Sequence, residues 1–210
     1  NTAEYNSSSI MGDLTAVLPS RISYQLDLQG PSMVIDTACS SSLVSVALAC
    51  KAIRNEECNT AIASGIKLYT SPIHNEKEKL GFESSDGNTR AFDKYSDGSG
   101  IGEGIGVVIV KSLEKAVEDG DNIHAVIKGM AINQDGHSMG ITAPNSAMQS
   151  NLLVKAWEDA NVEPDSISYI ETHGTGTNLG DPIEIQGIQN AFRKYTTKEQ
   201  FCALSSAKTN

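Results

Sequence analysis

Three side chains suited to nucleophilic or proton chemistry stand where a chain of this pattern changes direction: Cys39, His173 and Lys208. Cys39 lies in the stretch Pro31 to Cys50. Met33, Val34 and Ile35 form a short apolar, partly β-branched run, which predicts a buried strand. Asp36 to Cys39 make a tight junction of small and polar residues. From Ser40 to about Asn55 the pattern is helical, with Leu43, Val46, Ala47 and Cys50 at steps of three and four. Cys39 is therefore expected between the end of a strand and the start of a helix. The unpaired N–H groups and the dipole of a helix start favour an anion, and a thiolate is one. Ala38, Ser40 and Ser41 leave room for a substrate. A free cysteine is equally at home as a small buried hydrophobe, and this stretch alone leaves both roles open.

The second such stretch runs from Glu171 to Glu184, Glu-Thr-His-Gly-Thr-Gly-Thr-Asn-Leu-Gly-Asp-Pro-Ile-Glu. A short strand over 167–171 is expected to lead into a Gly/Thr loop and then a helix. In this reading Asp181 caps the helix, Pro182 takes its first position and Glu184 closes a capping box. Ile188, Ala191, Phe192 and Tyr195 form its apolar face. His173 stands at the strand end. A lone histidine is more often structural than catalytic, but the flanking glycines and hydroxyls make a site plausible. Ala203 to Ser206 reads as a further strand, with Lys208 in the loop that follows.

The elements that must position these groups alternate. Leu14, Val17 and Leu18 fit a short helix stopped near Pro19, and Arg21 to Leu28 a second helical stretch. Strands are expected at Cys58–Ile66, Ile105–Val110 and Ile123–Ile132, the first two buried. Leu113 to Val117 is a helical turn ended by Asp119-Gly120-Asp121. Ser146 to Asn161 is an amphipathic helix with Leu152, Leu153, Ala156, Trp157 and Ala160 on its apolar face, Trp157 read as core. Residues 70–100 are rich in loop signals, and a loop of that size usually functions or covers something. Five alternating glycines, Gly98 to Gly106, match no phosphate-binding spacing and precede a strand, so close backbone approach is the reading. Alternating strands and helices give an α/β fold with a largely buried sheet. Cys39, His173 and Lys208 all fall at strand ends, where open α/β sheets bind ligands.

The 210 residues suffice for one large or two small domains, and 39% hydrophobic with 20% charged residues predicts a packed core. A net charge of −10 argues against a nucleic-acid partner. No apolar run approaches the roughly 20 residues of a membrane span. The first residues, Asn1 to Ser9, do not read as a signal peptide. The chain does not begin with Met, as an excised piece would not. Cys39, Cys50, Cys58 and Cys202 show no metal-ligand spacing and are read as reduced thiols of a cytoplasmic protein.

Taken in order, Asp36-Thr-Ala-Cys-Ser-Ser-Ser42, Arg90-Ala-Phe-Asp93, Gly102-Glu-Gly104, Asn133-Gln-Asp-Gly136, Thr142-Ala-Pro-Asn145, Glu171-Thr-His-Gly-Thr-Gly-Thr177, Gly180-Asp-Pro-Ile-Glu184 and Lys208-Thr-Asn210 resemble the β-ketoacyl synthase (ketosynthase) domain of modular polyketide synthases. The resemblance covers essentially the whole chain. It implies a thiolase-like, layered αβαβα fold, here incomplete. Residues 1–210 would be the central part of one such domain, which is about twice this length.

The resemblance also implies an acyltransferase mechanism. Cys39 would take an acyl chain from a carrier-protein thioester. A malonyl-type extender would lose CO₂ and attack the acyl-enzyme, giving a 3-oxoacyl thioester. His173 would assist decarboxylation, Lys208 would support the charge network, and Thr175 and Thr177 would hold the phosphopantetheine arm. The bland alternative is that the two threonines only satisfy loop backbone groups. No cofactor of its own and no metal are implied; phosphopantetheine comes on the acyl carrier protein. The complete domain is expected to be a homodimer beside other synthase domains. The second catalytic histidine of the resembled motif would follow Asn210, and His74, His124 and His137 do not replace it by position, so residues 1–210 alone are expected to be inactive. A fatty-acid ketosynthase and a non-elongating domain that relays acyl chains are the alternatives.

Overall fold

The structure is a computed structural model and describes Gly12, residues 14–69 and residues 81–210. Residues 1–11, Pro72 and His74 lie outside the described residues. Contacts divide the chain into two compact units, Asn1–Ile66 with Ile105–Ile123, and Lys67–Gly104 with His124–Asn210.

In the first unit one helix, α1 (Val17–Gln25), replaces the two expected stretches. Pro19 does not stop it. Pro19 is the third helical residue, and the first four N–H groups of a helix have no partner within it, so the missing donor costs nothing there. The strand expected at Met33–Ile35 does not form. A strand needs a neighbour for its backbone groups, and none pairs with this run among the described residues. Met33 and Val34 are 58% and 44% exposed. Helix α2 (Ser41–Arg54) follows the expected bounds and buries Ala47 and Cys50. Lys51 and Arg54 lie in its last turn, where positive charge meets the negative end of the dipole.

Strands β1 (Thr60–Lys67) and β2 (Gly104–Lys111) pair as a two-stranded ribbon. Both were expected to be buried. Only Ala63 of β1 is, and Ile109 of β2 is 72% exposed. A ribbon of two strands cannot cover its own faces, whatever its composition. Helix α3 (Leu113–Glu118) begins at Ser112, whose Oγ accepts the Lys115 N–H at 3.3 Å. It ends at the expected Asp119-Gly120-Asp121 turn, and Lys111 Nζ donates to the carboxylates of Asp119 and Asp121.

The second unit is built on helices α4 (Ser146–Ala160) and α5 (Gly180–Phe192) and strands β3 (Tyr169–Glu171) and β4 (Ala203–Ser205). Strands β3 and β4 run parallel, with Tyr169 opposite Ala203, Ile170 opposite Leu204 and Glu171 opposite Ser205. The 3.6-residue periodicity of both helices turns their apolar faces inward. Trp157, Ile188, Ala191 and Phe192 form the buried centre, with Leu153, Ile167, Ile170 and Phe201 packed around it. The Phe192 ring lies 4.8 Å from that of Trp157 and 5.2 Å, edge-on, from that of Phe201. Trp157 is core, as its helical position indicates.

The strand expected at Ile123–Ile132 is absent. Near the end of that stretch the Met130 N–H donates to Asp159 Oδ2 at 2.8 Å. Further on, two loop motifs clasp each other. Asn133 Nδ2 donates to Met148 O at 2.7 Å, and Asn145 Nδ2 to Asp135 O at 3.0 Å, while Asn145 Oδ1 caps α4.

The glycine run divides. Gly98 (φ +144°) and Gly100 do meet close backbone: a Cβ there would lie 2.5 Å from Glu83 C and 2.2 Å from Gly87 O. Gly102, Gly104 and Gly106 have open space instead, so close approach does not account for them.

Candidate active site

Within the first unit, Cys39 occupies a single 3₁₀ turn, Ala38–Ser40, directly ahead of α2. The expected helix start is present and the expected strand is not. Cys39 is exposed, so the buried-hydrophobe role falls to Cys50 instead. The turn is held by the hydroxyls of its own motif. The Thr37 N–H donates to Ser41 Oγ at 2.9 Å, Ser41 Oγ donates to Ala38 O at 2.7 Å, and Thr37 and Ser40 share a hydroxyl bond at 2.9 Å. Asp36 Oδ1 accepts the Ala38 N–H at 3.1 Å. These bonds hold Ala38 in the left-handed region (φ 54°), which costs an L-residue roughly 1–2 kcal/mol. Outliers of this kind persist where the surroundings over-determine them, often beside reactive groups.

Within the second unit, His173, Thr175, Thr177 and Lys208 come together around the Gly/Thr loop. Strand β3 delivers His173 and the neighbouring parallel strand β4 delivers Lys208. Two threads stitch these strand ends together. The Thr172 N–H and Oγ1 both donate to Ser205 O, at 2.8 and 2.7 Å. Buried Ser206 donates its Oγ to His173 O and Gly174 O at 3.3 and 3.2 Å.

The His173 peptide is gripped on both sides. Its N–H donates to Glu184 Oε1 at 2.6 Å, and its carbonyl accepts from Lys208 Nζ at 2.6 Å. Glu184 Oε2 takes the next N–H, that of Gly174, at 2.8 Å. The imidazole pKa lies below its ordinary value. Loss of solvation around the ring is the main cause and the Lys208 ammonium the second; Glu184 and Asp181 pull the other way. The neutral imidazole is thus the form this loop favours, although the residue as a whole is exposed.

Thr175 Oγ1 and Thr177 Oγ1 lie 3.0 Å apart, and Thr177 Oγ1 accepts the Gly180 N–H at 3.1 Å. The two hydroxyls hold two protons and their mutual bond uses one. The half-buried pair therefore satisfies loop backbone, and its mutual bond leaves one of the two hydroxyl protons unused.

The expected capping box is not built. Leu179 is the residue ahead of α5 and its own side chain makes no cap bond; Thr177 Oγ1 takes the N–H of Gly180, the first helical residue. Asp181 is buried in the first turn and reaches outward, accepting the Phe92 N–H at 2.7 Å and the Gly176 N–H at 3.1 Å. Glu184 holds the His173 loop as described. Each carboxylate accepts two loop N–H groups, while Thr177 takes the first N–H groups of the helix through its Oγ1 and its carbonyl.

Asp181 also explains the loop expected to cover something. Residues 81–100 lie against the Gly/Thr loop. The Gly98 N–H donates to Gly176 O at 2.8 Å and Ser99 Oγ to Thr175 O at 2.6 Å. Arg90 pairs with Asp86 inside that loop through both guanidinium nitrogens. The spacing along the sequence shows no sign of the links made by Asp181, Gly98 and Ser99, because their partners lie more than 70 residues away, Gly176 of Asp181 excepted. In the sequence Glu171 is a strand residue and no more; its carboxylate accepts the Ala207 N–H and the Tyr169 hydroxyl.

The chain is similar to known proteins over essentially its whole length. The family profile described as β-ketoacyl synthase, N-terminal domain, matches residues 1–116, and that described as β-ketoacyl synthase, C-terminal domain, matches residues 124–210. The chain is 47% identical over 196 residues to polyketide synthase PksM of Bacillus subtilis, an alignment that covers 93% of this chain and 5% of that protein. It is 42% identical over 203 residues to polyketide synthase ThaG of Burkholderia thailandensis, covering 96% and 4%. Among solved structures, the ketosynthase from module 6 of the bacillaene synthase of Bacillus subtilis matches with a TM-score of 0.90 at 42% identity, over 99% of this chain and 38% of that one. The ketosynthase from module 1 of the bacillaene synthase of Bacillus amyloliquefaciens matches with a TM-score of 0.91 at 37% identity, over 100% and 38%. The chain thus spans little more than a third of these solved ketosynthases, and its fold is their thiolase-like α/β fold.

Proposed function

The chain belongs to the β-ketoacyl synthase family, and from this we propose that the protein containing it performs decarboxylative Claisen condensation in polyketide chain elongation. Residues 1–210 form the central part of one such domain. The observation that carries the reading is His173, fixed through its backbone by Glu184 and Lys208 and biased towards the neutral imidazole.

The Cys39 thiolate attacks the carbonyl of an acyl thioester on an acyl carrier protein. The phosphopantetheine thiol leaves, and the acyl chain stays on Cys39. A malonyl-type thioester on the carrier arm then loses CO₂, and the electron pair of the broken C–C bond passes to the α-carbon. Negative charge gathers on the thioester oxygen as it does so. Neutral His173 donates an N–H to that oxygen, while an imidazolium would spend its charge in the ground state as well. The carbanion attacks the acyl-Cys39 carbonyl and the Cys39 thiolate leaves. A 3-oxoacyl thioester results. The spare hydroxyl proton of the Thr175–Thr177 pair suits an amide carbonyl of the phosphopantetheine arm, which arrives with the carrier rather than residing in the protein. Lys208 sets the electrostatics at His173 and fixes its carbonyl. The partners of this reading are an acyl carrier protein, neighbouring synthase domains and a second copy of the complete domain.

The test supplies the complete domain with acyl and malonyl carrier thioesters. A 3-oxoacyl product that needs both Cys39 and His173 is expected. Acyl loading on Cys39 with no product would make the domain a relay. Residues 1–210 by themselves span little more than a third of the solved ketosynthases and are expected to yield no product.

A further inference from the structure

We propose that Glu171 is a positioning residue for Lys208, holding the turn that presses the Lys208 ammonium against the His173 carbonyl. The inference rests on the reading of His173 and Lys208 given above. Glu171 closes β3 and stands opposite Ser205 of β4, in parallel register. That register brings its carboxylate beside the residues that follow β4. Glu171 Oε1 accepts the N–H of Ala207, the first residue of the turn Ala207–Thr209. Oε2 accepts the Tyr169 hydroxyl at 2.6 Å, which orients the carboxylate. Lys208 is the middle residue of the turn, and its Nζ reaches His173 O at 2.6 Å.

The chain of contacts is short and each link is specific. Tyr169 orients Glu171, Glu171 anchors Ala207, and the anchored turn sets where the Lys208 stem begins. The carboxylate also attracts the ammonium directly, and both hydrogen bonds and this charge hold the Glu171 pKa below its ordinary value, the Tyr169 bond most of all. Thr209 and Ser206 supply the other restraints on the turn, so loss of Glu171 loosens Lys208 rather than releasing it.

The sign of one measurable effect separates positioning from plain electrostatics. The charged groups that face His173 are Lys208, Glu184 and Asp181. Lys208 lowers the imidazole pKa. If Glu171 acts by holding Lys208 in place, its removal lets the ammonium drift and the His173 pKa rises. If Glu171 acts only through its own negative charge, its removal makes the imidazolium less favourable and the pKa falls.

The readout is the pH dependence of diethyl pyrocarbonate modification at His173, followed by peptide mass spectrometry on the complete protein. Glu171→Ala is expected to raise the midpoint by roughly 0.5 pH units, and Lys208→Met by at least as much. Glu171→Gln still offers an amide oxygen to the Ala207 N–H and is expected to stay near the parent. In the Lys208→Met background, Glu171→Ala is expected to add nothing. A midpoint that stays or falls in Glu171→Ala, a Gln variant as shifted as the Ala variant, or full additivity with Lys208→Met would overturn the proposal. Condensation activity does not enter this readout, so a failed condensation assay would strike the proposed function and not this coupling.

Discussion

The Glu184 carboxylate lies 2.6 Å from the backbone nitrogen of His173, eleven residues earlier in the chain, and 2.8 Å from that of Gly174. One side chain of α5 thereby fixes the loop that carries the imidazole. Glu184→Ala removes both acceptors and is expected to lower condensation by about 10²-fold, the scale of a misplacement near 1 Å. Steady-state assays of the complete domain check this. A loss under threefold would show that the loop holds itself.

The same pair predicts a pH effect of known sign. Glu184 raises the His173 pKa against desolvation and Lys208. Glu184→Gln removes that support, so the His173 midpoint is expected to fall further below its ordinary value of about 6.5. The neutral form then persists to lower pH, and the acid limb of a His173-dependent step moves to lower pH with it. Modification of His173 as a function of pH measures the shift, and an upward movement would contradict it.

Asp181 ties Phe92 to Gly176 from a buried position. Its replacement by Ala leaves two N–H groups without their acceptor, at about 1–3 kcal/mol each if they stay buried. Residues 81–100 should then detach from the Gly/Thr loop. Limited proteolysis is expected to cut within this segment in Asp181→Ala and to spare it in the parent.

The aromatic centre of the second unit makes a stability prediction. Trp157 and Phe192 are both buried and lie 4.8 Å apart. Phe192→Ala should destabilise the unit by about 3–5 kcal/mol. Thermal unfolding of the complete domain followed by circular dichroism reports it.

Helices and sites were legible in the sequence to different degrees, for physical reasons. The helices α2, α4 and α5 declare themselves through apolar periodicity, which is local. The strand at Met33–Ile35 does not form, because pairing depends on a neighbour that no local pattern reveals. Ile105–Val110 was read as buried from its composition; the strand is there, and its cover is not among the described residues. Cys39 and His173 were visible as side chains at junctions. The roles of Glu171, Asp181 and Glu184 were not, since each carboxylate answers to backbone groups brought near only by the fold. Capping rules assign Asp181 and Glu184 to their own helix end, where Thr177 takes the first N–H groups instead.

In the proposed reaction Cys39 carries the acyl chain, and transfer of an acyl group to its thiol can be measured. The complete domain is incubated with an acyl thioester of its carrier, and the labelled peptide is identified by mass spectrometry. One acyl group on Cys39 is predicted, abolished in Cys39→Ala while fold and thermal midpoint stay near the parent, as expected for an exposed side chain. Acyl label on another residue, or label that survives Cys39→Ala, would contradict it.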